Sequence, residues 1–197
     1  MTNRRKIIND PVYGFISIPN DLIYDLMGHP WFQRLRNIRQ LGLSSLVYPG
    51  AVHSRFQHSL GAMYLTGQAV NTLRSKGTEI SAEEEEGVLG AILLHDIGHG
   101  PFSHALEHSL IEDMPHETMS LLIMEEINKA MHGRLSAAIE IFRGEYPRRS
   151  FHDLVTGQTD MDRMDYPRRD SFLTGAIERS VGSDTITRIP RAWEAAR

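Results

Sequence analysis

The chain has 197 residues, 41% hydrophobic and 23% charged, with a formal net charge of −4 and no cysteine. That length can bury a full single core, and the balance is that of a soluble globular protein, not of a disordered chain or a bulk nucleic-acid binder. Disulfides and thiolate metal sites are excluded, so any metal must rest on histidine and carboxylate, which selects harder or borderline ions. Met1 to Lys6 is polar and basic with no apolar h-region after it, and no apolar run reaches membrane-spanning length. The expected location is therefore the cytoplasm, with no membrane partner.

Residues 7–20 mix β-branched and aromatic residues with Pro11, Gly14 and Pro19, and read as an extended arm with a turn. Asp21 can cap a short helix through Met27, stopped by Gly28 and Pro30. Residues 31–41 place Trp31, Leu35, Ile38 and Leu41 on one face, with Arg34, Arg36 and Arg39 mostly off it, and predict a helix ended by Gly42. Residues 43–52, with Tyr48-Pro49-Gly50, read as a loop. Residues 53–74 then predict a long helix. Phe56, Leu60, Met63 and Val70 form one apolar stripe, and His58, Ala62, Leu65 and Ala69 form another. A helix apolar on two stripes is enclosed, so His58 points into protein.

Gly77 breaks this helix, and Ser81 with Glu84 is a capping-box signature for the next one, with Glu83 to Glu86 at the positive end of its dipole. Residues 88–94 are almost wholly apolar, which marks the central helix; it delivers His95 and Asp96 in its last turn before Gly98 and Gly100. Pro101 suits the first position of a following helix that carries His104, Glu107 and His108. Pro115 opens another, with Met119, Leu122, Ile123, Glu126 and Ile127 at helical spacing, and residues 135–142 form a further short one. After residues 151–155 come Asp160, Asp162 and Asp165, then Pro167, which should kink or restart a helix through it. Periodicity fades beyond Gly175. Nothing alternates like a sheet for long, so the class is all-α. The expected organisation is an arm and first short helix over residues 1–30, a core over 31–175 and a C-terminal segment over 176–197.

Residues 93–108 concentrate four histidines and two carboxylates. His58, the His95-Asp96 doublet and a downstream aspartate, Asp162 or its competitor Asp165, together make a mixed N/O set. On an octahedral ion such a set leaves about two positions open, as a catalytic metal needs. An ion of this kind polarises a phosphoryl oxygen and activates water near neutral pH. Taken singly, the doublet could be a helix C-cap and His58 a hydrogen-bonded core histidine.

In this order the residues resemble the H…HD…D motif of the HD-domain metal-dependent phosphohydrolases. Three blocks carry the likeness further: Arg55-Phe56-Gln57-His58-Ser59-Leu60-Gly61, His95-Asp96-Ile97-Gly98-His99-Gly100-Pro101-Phe102-Ser103-His104 and Asp162-Arg163-Met164-Asp165-Tyr166. They are similar to the deoxynucleotide triphosphohydrolase (dGTPase-like) branch, from about Asn9 to Asp170. The resemblance implies an HD-domain helical bundle that hydrolyses a dNTP to deoxynucleoside and inorganic triphosphate. It also implies a divalent metal cofactor (Mn, Mg, Fe, Ni, Co or Zn) and a homo-oligomer, with nucleic acid not the main partner.

By motif position the metal ligands would be His58, His95, Asp96 and Asp162. His104 with Glu107, three residues apart on one helix face, matches the branch's catalytic pair, while His99, His116 and Arg55 would meet phosphate charge. Gln40, Leu41, Tyr166 and Asp170 fall where the branch contacts deoxyribose, Tyr166 against C2′ and Asp170 on the 3′-hydroxyl. The downstream Lys, Arg and Tyr residues that clamp a triphosphate in the branch have no counterpart before Arg197. Two alternatives therefore stay open: an HD phosphohydrolase for a monophosphate or cyclic nucleotide, and a truncated, non-catalytic HD nucleotide-binding domain.

Overall fold

The extended arm is an antiparallel hairpin of β1 (Ile7–Asp10) and β2 (Gly14–Ser17), in a register that pairs Ile8 with Ile16 and Asp10 with Gly14. Its turn is closed by Asp10, whose Oδ1 accepts from the backbone N–H of Val12 at 2.9 Å and of Tyr13 at 3.0 Å. A computed structural model describes residues 6–102, 115–157 and 160–176. The catalytic pair expected at His104 and Glu107, the helix expected around it and the segment after residue 176 lie outside the described residues.

Helix α1 (Asp21–Gly28) is capped by Asn20, not by Asp21: Asn20 has extended backbone and its side chain accepts from Ile23 N at 2.9 Å. The single helix expected over residues 31–41 does not form. Helix α2 (Pro30–Gln33) passes into a 3₁₀ turn (Arg34–Asn37), and the chain becomes extended at Ile38. Backbone pairing with the residues before the next helix holds it there: Gln40 N donates to His53 O at 3.0 Å and Arg55 N to Ile38 O at 2.9 Å. The apolar spacing read burial correctly for Leu35 and Ile38, but tertiary pairing overrode the helical preference. Gln40 and Leu41 are thereby placed on a loop that runs into a second 3₁₀ turn (Gly42–Leu46).

Helix α3 (Arg55–Ser75) starts from a Ser54/Gln57 capping box, and α4 (Ala82–Leu94) from the predicted Ser81/Glu84 box. Residues 87–94 of α4 are all buried, and at about 1.5–3 kcal/mol for each large apolar side chain taken from water this helix is the main cohesive element. The remaining described helices are α5 (His116–Ala130), α6 (Ser136–Arg143), α7 (Ser150–Thr156) and α8 (Met161–Thr174). Helix α4 is packed against α1, α3, α6 and α7, and α8 lies along α3. The hairpin and the 3₁₀ turns aside, the architecture is all-α.

Helix α8 runs through Pro167 without the expected restart. The proline deletes one backbone bond, to the carbonyl of Arg163, an exposed residue, while Met161, Met164, Asp165 and Arg169 keep the other face buried. Asp162 and Asp170 therefore stay in helical register with each other. No helix among the described residues is long and apolar enough to cross a membrane.

Candidate metal centre

Three elements converge on one end of the bundle. His58 lies in the first turns of α3, His95 is the C-cap of α4, and Asp162 lies in the first turn of α8, whose N-cap Asp160 accepts from Arg163 N at 2.8 Å. Past Leu94 the chain keeps turning, with Ile97 N bonded to Leu94 O and His99 N to Asp96 O. This turn is held from both sides. Ser120 Oγ donates to His95 O at 2.8 Å and accepts from Gly98 N at 2.9 Å. Only glycine fits at position 98, because a Cβ would sit 2.2 Å from His116 O and 2.5 Å from Ser120 N. From the other side Arg34 donates to His99 O at 2.9 Å and to Ile97 O.

Both imidazoles turn Nε2 toward a shared point. His95 Nδ1–H donates to Ile92 O at 2.6 Å, and His58 Nδ1–H to Asp165 Oδ2 at 2.8 Å, which fixes each ring's orientation and leaves Nε2 as the atom that a metal would meet once its proton has left. Asp162 Oδ1 lies 2.9 Å from His58 Nε2 and 3.6 Å from His95 Nε2. Asp96 stands beside them, Oδ1 3.4 Å from His95 Nε2 and Oδ2 3.8 Å from His58 Nε2. One ligand atom each from His58, His95 and Asp162 falls within 4.8 Å of the others. Both Nε2 atoms are buried and find no hydrogen-bond partner among the described residues beyond the close approach of the Asp162 carboxylate. Buried polar atoms left so are rare, and two imidazole nitrogens with carboxylate oxygens are donors suited to a borderline divalent ion. The residues fit a metal.

The electrostatics point the same way. Burial by itself disfavours the charged form of His58, but the carboxylates of Asp162 and Asp165 outweigh it and carry the imidazole up to about 10. His95 is raised in the same manner, burial opposed by Asp96 and Asp162. Against their own burial, Asp96 is held well below the usual carboxylate range by His95, His99 and Arg55, and Asp162 is held low by His58 and His95. The proton on His58 offsets part of the negative charge that these carboxylates gather at one point. His99 behaves oppositely: burial pulls it down to about 4 despite Asp96, so it is neutral near pH 7.

Of the other residues singled out in the sequence, His99 is buried with Nε2 3.3 Å from Asp96 Oδ1, and its ring stacks on that of His116 at 4.0 Å. Arg55 is buried, and its guanidinium donates to Asp96 Oδ2 at 2.6 Å. Leu41 and Asp170 share the lining of a cavity of about 210 Å³ with Tyr48. Tyr166 is exposed on α8, and Gln40 Oε1 is buried without a hydrogen-bond partner among the described residues. Asp165, the competitor for the fourth ligand position, faces the far nitrogen of His58. Three contributors escaped the sequence reading: Arg34, Ser120 and His53, whose buried Nε2–H donates to Asp170 Oδ1 at 2.7 Å. Nothing local marks them, because each acts on a residue more than twenty positions away.

Two imidazoles and the carboxylates beside them, brought together where α3, α4 and α8 meet, give a helical domain with the donors of a metal site. The chain belongs to the HD domain family, whose pattern matches residues 55–170. It is similar to the protein YwfO of Bacillus subtilis, with 36% identity over 197 residues that cover 98% of this chain and 46% of that one. It is also similar to the deoxynucleoside triphosphate triphosphohydrolase SAMHD1 of Gallus gallus, with 41% identity over 230 residues that cover 96% and 37%. Among solved structures, a phosphohydrolase from Bacteroides thetaiotaomicron superposes with a TM-score of 0.89 at 59% identity, covering 94% of this chain and 45% of that one. The chain spans less than half the length of each of these three.

Proposed function

We propose that the chain carries the catalytic centre of a divalent-metal phosphohydrolase that cleaves deoxynucleoside triphosphates to deoxynucleoside and inorganic triphosphate. The observation that carries this reading is the pair of buried, unpartnered Nε2 atoms of His58 and His95 facing Asp162 and Asp96. The similarity to deoxynucleoside triphosphate triphosphohydrolases supports the substrate class.

His58, His95, Asp96 and Asp162 would hold the ion, which when bound polarises a phosphoryl oxygen and activates water. Arg55 holds Asp96 in its ionised form and orientation. His99, neutral at working pH with its one N–H toward Asp96, would stand beside a phosphate without adding a charge that would repel the ion. His116, stacked on it, would meet phosphate charge from the same side. His104 and Glu107, which lie outside the described residues, would by their place in the motif manage the proton of the attacking or departing oxygen. Leu41 and Asp170, which line one cavity, would offer an apolar wall and an acceptor for the deoxyribose, with Gln40 and Tyr166 as further contacts by their place in the motif.

The test is product identification with Mn²⁺ and a panel of dNTPs, dNMPs and cyclic nucleotides. Intact triphosphate released from a dNTP is expected. Single phosphate from a monophosphate, or ring opening of a cyclic nucleotide, would replace this reading with the corresponding alternative, and metal binding without turnover of any nucleotide would overturn it.

A further inference from the structure

We infer that the turn of the N-terminal hairpin sets the metal affinity of the centre through a buried chain of side chains, Asp10–Arg169–Asp165–His58, in which Asp165 is the positioning residue of the ligand His58. The inference rests on the metal reading above.

Each link is short and buried. Asp165 Oδ2 accepts from His58 Nδ1–H at 2.8 Å and from Arg169 Nε at 2.8 Å, while its Oδ1 accepts from Arg169 Nη2 at 3.0 Å. The other edge of the guanidinium meets Asp10, Nη1 to Oδ2 at 2.8 Å and Nη2 to Oδ1 at 3.4 Å. Asp10 is in turn the residue that closes the hairpin turn through Val12 N and Tyr13 N. His58, Asp165 and Arg169 are fully buried, and Asp10 is 4% exposed. The ring of Tyr13, from the same turn, lies 5.6 Å from the Arg169 guanidinium.

The chain is also fitted into α3. A Cβ at Gly61, one turn after His58, would sit 2.0 Å from Asp165 Oδ1 and 2.3 Å from Arg169 Nη2. Apolar residues of the same volume would fill this space without the cost of desolvating three charges. What the charged chain adds is control of His58: an ionised carboxylate on Nδ1–H fixes the tautomer and makes Nε2 a stronger donor to a metal. Arg169 forks onto Asp165 in two parallel bonds and so fixes its plane, and Asp10 fixes Arg169. His95 is held differently, by a carbonyl of its own helix. The hairpin therefore acts on one of the two imidazole ligands and not on the other.

Calorimetric titration of the metal-free full chain with Mn²⁺ alone, alongside thermal unfolding, tests this. Asp165→Asn should weaken Mn²⁺ binding by about 10–100-fold, the scale for a lost partner behind a metal ligand. Asp10→Asn should weaken it less, by roughly three- to tenfold, although its carboxylate is three residues removed from the ion. Asp25→Asn, which removes a surface carboxylate paired with Arg134, serves as the charge-matched control and should bind as wild type does. If Asp165→Asn does not fold, Asp10→Asn and Arg169→Lys carry the test. Variants that unfold at lower temperature yet bind Mn²⁺ as tightly as wild type would make the chain purely structural and overturn the inference alone. A wild-type protein that binds no Mn²⁺ would overturn the metal reading and this inference with it.

Discussion

Gly61→Ala is the substitution in which packing and intrinsic preference pull hardest in opposite directions. In a helix interior alanine is favoured over glycine by about 1 kcal/mol, so at an open position the change should stabilise. At Gly61 the new Cβ would lie 2.0 Å from Asp165 Oδ1 and 2.3 Å from Arg169 Nη2, separations that two non-bonded atoms cannot hold. The Asp165–Arg169 pair must then part, and breaking a buried ion pair costs roughly 3–5 kcal/mol. With the helical gain subtracted, the net loss is roughly 2–4 kcal/mol. At the usual urea sensitivity of small domains that moves the unfolding midpoint down by about 1–2 M. Gly67 on the same helix is the internal control, since its nearest neighbour to a new Cβ would be Leu89 Cδ2 at 3.9 Å; Gly67→Ala should raise the midpoint slightly. Equal midpoints for the two variants in urea unfolding followed by circular dichroism would refute the reasoning.

Mn²⁺ affinity should fall with acidification, because near neutral pH a proton raised to about 10 on His58 must leave before the ion binds. The slope is about tenfold per pH unit for one displaced proton and steeper if His95 also gives one up; calorimetry at pH 6.5, 7.5 and 8.5 reads it, and a flat profile would contradict it. The same shift gives the metal-free protein a stabilising contribution present in full below about pH 6.5 and lost as pH rises toward 10, a decline that Mn²⁺ should suppress in thermal unfolding. Ser120→Ala strips partners from His95 O and Gly98 N inside the fold and should cost about 1–3 kcal/mol in urea unfolding; a loss below 0.5 kcal/mol, the ordinary scale of a neutral surface change, would mean that water replaces the hydroxyl. Asp96→Ala should abolish Mn²⁺ retention and hydrolysis together, whereas His104→Ala should keep the metal and slow turnover by roughly 10²–10⁴-fold; full activity in either variant removes that residue from its role.

The order of legibility follows the range of the interactions. The capping box at Ser81, the two apolar stripes of α3 and the apolar run of α4 depend on neighbours within one or two turns, so the sequence pattern carries them directly; the Ser54/Gln57 box is equally local and was missed. The doublet His95-Asp96 was conspicuous for the same reason, as polar residues at the end of a wholly apolar helix. Asp162 and Asp165 could not be ranked from spacing, because residues three apart on one helix face reach the same neighbour. The structure divides His58 between them, Nε2 to Asp162 and Nδ1 to Asp165. Arg169 looked like one more cation in an Arg-Arg-Asp run, since its far partner, Asp10, is 159 residues away. The helix expected over residues 31–41 failed where Ile38 and Gln40 exchange backbone bonds with the residues opening α3, a pairing that no local pattern announces. Pro167 misled in the other direction: a proline in a helix whose buried face is already anchored costs one bond at an exposed residue and does not break the helix.

Anomalous scattering from crystals of the full chain soaked in Mn²⁺ tests most directly whether an ion binds between α3, α4 and α8. One dominant peak is expected at coordination distance, about 2.0–2.3 Å, from His58 Nε2, His95 Nε2 and the carboxylates of Asp162 and Asp96, lost in Asp162→Ala. A peak elsewhere, or none at a Mn²⁺ concentration that supports turnover, would contradict that placement.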